Sequence, residues 1–312
     1  MISVESVLEA SERIRPHVIT TPISHDKNLN LFYKWENHQV TGSFKLRGAT
    51  NKVFSLEKEK LDHGLVTCSA GNHGQGVAVA AAKSRSSCIV FASEHASPVK
   101  VEAMKKLGAE VRLVQGGYVA AERSAQEFAK RKGKIFISPY NDELVIAGQG
   151  TIGVELEEQL IRSQDISALV VPVGGGGLIS GLGAFFSTLK NSPKIIGVQS
   201  EASSFAYQLF QTGSQQGVNE KDSIADGLAG EIDHNSITIP MMKMFLDDVI
   251  LVSEEEIREA IRYAWHQYHE IIEGSAAVGL AARLAGKIQL HSALAIVTGG
   301  NIQSELLDGI IH

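Results

Sequence analysis

The chain has 312 residues, with 29 Lys and Arg against 35 Asp and Glu, a formal net charge of −6. Hydrophobic residues make up 44% and charged residues 21%, a composition that excludes disorder and gives enough chain for a full core in about two domains. An acidic balance without a basic tract excludes nucleic acid as a partner, and two cysteines, Cys68 and Cys88, cannot build a disulfide framework or a Cys-rich zinc site. The opening Met1-Ile2-Ser3-Val4-Glu5 lacks the basic start and apolar core of a signal peptide, so a reducing, cytoplasmic setting is expected.

Along the chain, short apolar runs alternate with longer amphipathic ones. Strands are expected at Leu31 to Glu36, Leu65 to Cys68, Cys88 to Phe91, Val111 to Val114 and Lys134 to Ile137. Further strands are expected at Ala168 to Val173, Lys194 to Gln199, Val249 to Val252 and Ala293 to Val297. Helical spacing runs over Val77 to Lys83, Val119 to Lys130, Leu144 to Arg162 and Glu254 to Ile272, the last entered by the capping-box sequence Ser253-Glu254-Glu255-Glu256. The uncharged stretch Ala168 to Leu189 is long enough to span a membrane, but Pro172 and four consecutive glycines would break such a helix. Strand, glycine loop and helix describe it better. The pattern predicts an α/β protein with open, mostly parallel twisted sheets flanked by helices. Chemistry in such folds gathers in loops after strands.

Four loops stand out. In Thr41-Gly42-Ser43-Phe44-Lys45-Leu46-Arg47-Gly48-Ala49, Ser43 suits an N-cap and places Lys45 in the first turn. The positive end of a helix disfavours an ammonium there, lowering its pKa and making Lys45 a better nucleophile toward an aldehyde. Taken alone, a solvated lysine is the plainer reading. Gly174-Gly175-Gly176-Gly177-Leu178 follows a strand directly, so converging N–H groups and a helix dipole make a phosphate cradle. No Gly-Lys-Ser/Thr ends it, and the dinucleotide spacing fits poorly though it stays open. Ser69-Ala70-Gly71-Asn72-His73 opens a helix and can grip a carboxylate, or be an ordinary turn. Thr298-Gly299-Gly300-Asn301 closes the last strand with one hydroxyl, and alone reads as a turn. His266 and His269 have no third ligand and read as solvated or interface residues, and Cys68 and Cys88 as core.

Together, and in this order, the four loops closely resemble the serine/threonine dehydratase and serine racemase family of pyridoxal phosphate enzymes. The resemblance covers essentially the whole chain, including Gly148-Gln149-Gly150-Thr151, Ser223-Ile224-Ala225-Asp226-Gly227 and Glu273-Gly274-Ser275-Ala276-Ala277. It implies the fold-type II, tryptophan-synthase-β-like architecture. A small domain of residues 64–144 would be inserted into a larger cofactor domain of residues 1–63 and 145–312. It also implies that Lys45 holds pyridoxal 5'-phosphate as an imine and, once freed, removes the Cα proton. Phe44 would pack on the ring, Asn72 would meet the ring oxygen, and Thr298 the pyridine nitrogen. Gly174, Gly175, Gly176, Gly177 and Leu178 would bind the phosphate. Ser69, Ala70, Gly71, Asn72 and His73 would receive the substrate carboxylate, while Glu273 would lie near the ring.

The departures from the family pattern sharpen the expectation. Ala70 stands where racemases carry a second acid/base serine, which favours elimination. Gln199 and Phe205 replace the acidic side chains of the family's cation site, so no metal is expected. Thr298 replaces the common serine, and Glu273-Gly274 the usual Glu-Pro. No regulatory domain is expected after the last strand. The activity implied is α,β-elimination of L-threonine and/or L-serine to a 2-oxo acid and ammonia, by a homodimer or other homo-oligomer acting on a small amino acid, with no membrane partner. Serine racemase, hydroxyaspartate dehydratase, cysteine synthase and a non-catalytic ligand-binding relative are the competing readings.

Overall fold

Residues 2–161, 164–290 and 292–312 are described in the computed structural model. Its strands are β1 (Ile23–Asp26), β2 (Leu31–Trp35), β3 (Leu65–Cys68), β4 (Cys88–Ser93), β5 (Glu110–Val114), β6 (Ile135–Ile137), β7 (Ala168–Pro172), β8 (Lys194–Ser200), β9 (Asp248–Val252) and β10 (Ala293–Val297). They form a six-stranded sheet in the order β1-β2-β10-β7-β8-β9 and a four-stranded sheet in the order β5-β4-β3-β6. Every pairing is parallel except β1 with β2. The α/β architecture with two mostly parallel sheets is therefore as expected.

Alternate residues of each central strand feed opposite cores. Leu169 and Val171 of β7 join one apolar cluster, while Val170 joins the cluster on the other face. In the smaller sheet Leu65 faces one core and Val66 and Cys68 the other. Sheets covered on both faces need strands that are apolar throughout, which is why these runs were legible. The sequence reading missed β1, because Ile23-Ser24-His25-Asp26 is half polar and lies at an edge. Its last residue closes the hairpin, the Asp26 carboxylate accepting the N–H groups of Asn28 and Leu29 at 2.9 and 3.0 Å.

Helix ends differ from expectation at several places, among them the helix expected over Val77 to Lys83, which is Asn72–Ser84. The helix expected to reach Ile272 is Glu254–Tyr268, entered through the capping box. It stops because His269 turns left-handed at φ 55° and Glu270 is drawn off to His38 and Asn37. The helix expected over Leu144 to Arg162 is Glu143–Leu156, capped by the Asp142 side chain and followed by a wider π turn, Glu157–Ile161. Arg162 lies outside the described residues. Ser43 is not itself the N-cap. It pairs with Gly299 in an isolated bridge, so Phe44 enters the helix Lys45–Phe54, yet the Ser43 hydroxyl still accepts the Lys45 N–H at 3.3 Å. Ala168 to Leu189 is a strand, a glycine loop and the helix Gly177–Phe186, and among the described residues no helix is long and apolar enough to cross a membrane.

Two glycine contacts set the spacing of the central helices. A Cβ on Gly148 would lie 2.6 Å from Gly48 Cα, and one on Gly181 would lie 2.4 Å from the Ile146 carbonyl and 2.6 Å from Gly150 N. The Glu143–Leu156 helix thus touches the Lys45 helix on one side and the glycine-loop helix on the other at backbone distance.

Below them lies a buried ionic cluster. Arg47 has no solvent exposure and donates to both carboxylate oxygens of Glu36, at 2.7 and 2.8 Å, and to Glu155 at 2.7 and 3.0 Å. Lys34, equally buried, donates to Glu155, Gln159 and the Thr21 carbonyl at 2.6, 2.7 and 2.8 Å. Two cations face two anions, so the cluster is neutral overall. Removing one partner leaves a buried charge without compensation. Arg47→Met should lower the unfolding free energy by about 3–5 kcal/mol in urea titration. Adding Glu36→Leu should restore part of it, and a single-variant loss under about 1 kcal/mol would contradict this account.

Candidate active site

Three of the four loops singled out in the sequence are joined directly by hydrogen bonds. Phe44 N donates to the Thr298 carbonyl at 3.1 Å, Gly300 N to the Gly42 carbonyl at 2.9 Å, and Glu273 N to the Gly299 carbonyl at 3.1 Å. The Lys45 segment is thereby fastened to the end of β10. Asn301 Nδ2 reaches the Thr41 carbonyl at 2.9 Å and Asn72 Oδ1 at 2.7 Å, and Asn72 Nδ2 donates to Glu273 Oε1 at 2.7 Å. These bonds tie the loop after β3 to the same point.

Among the described residues the Lys45 amine has one hydrogen bond, Nζ donating to the Pro139 carbonyl at 3.0 Å, and it lies 5.2 Å from the Phe44 ring centroid. Burial pulls its pKa down to about 8, against an upward pull from Glu273. The direction matches the sequence reading, but desolvation rather than the helix end is the principal cause. His73, also predicted at the site, is buried with Nε2 3.3 Å from the Ile137 carbonyl; burial and then Lys45 push its pKa down to about 3, so the ring is neutral. Glu273 is buried at 6% exposure and its pKa is raised to about 7, by burial and the nearby Asp226, against Lys100, the Asn72 hydrogen bond and Lys45.

The glycine loop follows β7 and enters the helix Gly177–Phe186 through Gly176, which is left-handed at φ 81°. A Cβ at Gly175 would lie 2.5 Å from the Tyr140 ring, and one at Gly176 2.5 Å from Met242 Sδ. Among the described residues no acceptor takes the N–H groups of Gly174 to Leu178. Five N–H donors are thus left over at the positive end of a helix, the kind of place that suits an anion. The loop after β3 has the same character. Ser69 Oγ accepts the Gly71 N–H at 3.0 Å, and Asn72, His73 and Gly74 have no N–H acceptor among the described residues. Ala70 is exposed, and the Thr298 hydroxyl makes no hydrogen bond among the described residues, though the residue is 4% exposed.

Sequence reasoning missed some of the neighbours. Tyr140 walls the glycine loop and its hydroxyl accepts the Asp233 N–H at 3.2 Å. Lys100 pairs with Asp226 at 2.7 Å beside Gly71 and Glu273. Neither carries a local motif; only their place in the fold reveals them. Where acids would form a cation site, Gln199 instead accepts the Tyr207 N–H at 3.1 Å and reaches the Leu228 carbonyl at 3.5 Å, and Phe205 begins a helix. These neutral groups do not fit a divalent cation, and no cluster of three His, Cys, Asp or Glu among the described residues could hold one. His266 and His269 are exposed, and Cys68 and Cys88 are buried with thiol pKa values pushed up to about 12.

Residues 14–299 match the family described as pyridoxal-phosphate dependent enzyme. The chain belongs to this family. An L-threonine ammonia-lyase from Thermotoga maritima is 36% identical over 320 residues, covering 100% of this chain and 79% of that protein. A catabolic L-threonine dehydratase from Staphylococcus aureus is 35% identical, covering 100% and 92%. Among solved structures, maize serine racemase superimposes with a TM-score of 0.91 at 31% identity, over 99% of this chain and 96% of that one. Threonine deaminase isoform 2 from Solanum lycopersicum gives 0.88 at 31% identity, over 98% and 92%.

The family's cofactor is pyridoxal phosphate, and the residues present fit it. Lys45 supplies an amine of lowered pKa, and the glycine loop, where Tyr140 and Met242 leave no room for a Cβ at Gly175 or Gly176, offers N–H donors unsatisfied among the described residues to a phosphate. With a pKa near 8, roughly a tenth of Lys45 is neutral at pH 7, against under a thousandth for a free lysine. Lysine acylation of the cofactor-free protein, followed by peptide mass spectrometry, should show Lys45 reactivity rising with a midpoint near pH 8. A midpoint near that of free lysine would contradict the assigned environment.

Proposed function

We propose that the protein is a pyridoxal phosphate-dependent ammonia-lyase that converts L-threonine and/or L-serine to a 2-oxo acid and ammonia. The observation that carries this is the half-buried Lys45 amine held by the Pro139 carbonyl, next to Tyr140, which walls the donor-rich glycine loop, with Ala70 exposed in the Ser69–His73 turn. The relatives named as threonine ammonia-lyase and threonine dehydratase support the same chemistry.

Each residue's part follows from its surroundings. Lys45, neutral in appreciable fraction, is the nucleophile that holds the cofactor and the base that takes the Cα proton. The N–H groups of Gly174 to Leu178 would hold the phosphate, Phe44 would pack on the ring, Asn72 would donate to the ring oxygen, and Thr298 would offer the ring nitrogen a neutral hydroxyl. Ser69, Ala70, Gly71, Asn72 and His73 receive the substrate carboxylate, chiefly through backbone N–H groups, since the His73 ring is buried and neutral. When bound, pyridoxal phosphate supplies a sink for the electron pair left by the Cα proton. The β-hydroxyl leaves as water and another water is consumed as the amine departs, so the net change is amino acid to 2-oxo acid plus ammonia.

Elimination is favoured over racemisation because Ala70 has no proton to return to Cα. Serine racemase stays the second reading, on the likeness to the maize enzyme. Residues 64–144 are proposed as a smaller lobe inserted between residues 1–63 and 145–312; the four-stranded sheet, formed within 65–137, supports this. A cytoplasmic homo-oligomer is the proposed setting, supported by two buried, unpaired cysteines and by exposed Val40 and Ile271 on neighbouring loops.

The purified protein should produce 2-oxo acid from L-threonine or L-serine, and chiral analysis should find the recovered serine still L. Lys45→Ala should lower turnover at least about a thousandfold. Retained turnover, or accumulation of D-serine without 2-oxo acid, would refute the assignment.

A further inference from the structure

The orientation of the Asn72 amide is dictated by a chain of hydrogen bonds that begins at a backbone carbonyl. The Thr41 carbonyl can only accept, so the end of Asn301 that meets it at 2.9 Å must be its NH₂. The same Nδ2 meets Asn72 at 2.7 Å, so Asn72 must present its oxygen there. Its own NH₂ is therefore turned toward Glu273 Oε1 at 2.7 Å, which must accept. One N–H of Asn72 is used by Glu273, and the second is left for a ligand.

Two glycines leave room for this chain. A Cβ at Gly299 would sit 2.7 Å from Glu273 Oε1 and 3.3 Å from Asn72 Nδ2, while Gly42, at φ +68°, would bring a Cβ within 2.8 Å of Asn301 Oδ1. The carboxyl is faced by Lys45, Lys100 and Asp226, from three other elements of the chain. An ionised Glu273 is a pure acceptor; a protonated one keeps an acceptor oxygen.

We propose that Asn301 and Glu273 are positioning residues that fix the polarity of the Asn72 amide, so that it always offers an N–H, never an oxygen, to the bound cofactor. This rests on the pyridoxal phosphate reading of the site. Asn301 sets the direction because, among the described residues, it is the side chain that links Asn72 to a carbonyl of fixed polarity. Glu273 keeps it by accepting, and its negative charge is not required for that.

Three variants separate these parts. Asn301→Asp places a carboxylate against two acceptors, the Thr41 carbonyl and Asn72 Oδ1, and rewards a reversed Asn72. Glu273→Gln retains an acceptor oxygen, and Glu273→Ala removes it. The readouts are the pyridoxal phosphate dissociation constant, titrated into cofactor-free protein, and the visible absorbance maximum of the bound form. Asn301→Asp and Glu273→Ala should each weaken binding about tenfold or more and shift the maximum, while Glu273→Gln stays within about threefold of the wild type. An Asn301→Asp protein with wild-type affinity and spectrum, or a Glu273→Gln protein as weak as Glu273→Ala, would overturn the proposal. Should Asn301→Asp fail to fold, as judged by circular dichroism, the Glu273 pair carries the same test. A wild-type protein that develops no visible band with pyridoxal phosphate would overturn the cofactor reading itself, which the variant comparison alone does not touch.

Discussion

The site depends on one physical constraint, a primary amine largely surrounded by protein whose hydrogen bond, among the described residues, goes to a carbonyl rather than a carboxylate. Burial lowers the pKa of Lys34 as well, but there Glu155, in contact at 2.6 Å, pulls back toward the charged form. Among the described residues the Lys45 amine meets a carbonyl oxygen rather than a carboxylate, with Glu273 near enough to pull on its proton but bonded to Asn72. Desolvation then prevails over attraction, and the amine becomes available for covalent chemistry near neutral pH. Elsewhere in the same cleft, the fold leaves backbone N–H groups unsatisfied rather than amines uncharged. Those donors make the complementary half, an anion cradle, without adding a second full charge to destabilise the first.

Holding the two halves at a fixed separation falls to the helices behind them. The Lys45 helix and the glycine-loop helix both lean on Glu143–Leu156, and each contact is made where glycine meets glycine, Gly48 on Gly148 and Gly181 on Gly150. Close backbone approach leaves little slack, so the separation between amine and cradle is set by main chain rather than by adaptable side chains. The neutral Arg47 cluster anchors the same helix two residues beyond Lys45.

Much of this was legible in the chain. Strands buried on both faces announced themselves as continuous apolar runs, so the fold class could be read before coordinates, while the grouping of Lys45, Asn72, Gly174 and Thr298 was an expectation that came from the family resemblance rather than from any one loop. What resisted was whatever depends on distant parts of the chain. β1 is too polar to show by pattern, and the end of Glu254–Tyr268 is decided by Glu270 reaching His38. The cause of the Lys45 shift lies in how much protein surrounds it, which no local spacing reports. Asn301 was visible only as the last letter of a turn; its importance is that it links Thr41 to Asn72, residues far apart in sequence. Gln199 shows the converse. Its neutrality was plain, yet the bonds it makes to Tyr207 and Leu228 required the structure.

The most direct test of the central claim is chemical trapping. Protein reconstituted with pyridoxal phosphate is reduced with borohydride, digested, and its peptides are mapped by mass spectrometry. The account predicts that the pyridoxyl label is found on the peptide carrying Lys45 and that the other lysines, including the ion-paired Lys34 and Lys100, stay unmodified. A label on another lysine, or none on Lys45, would contradict it.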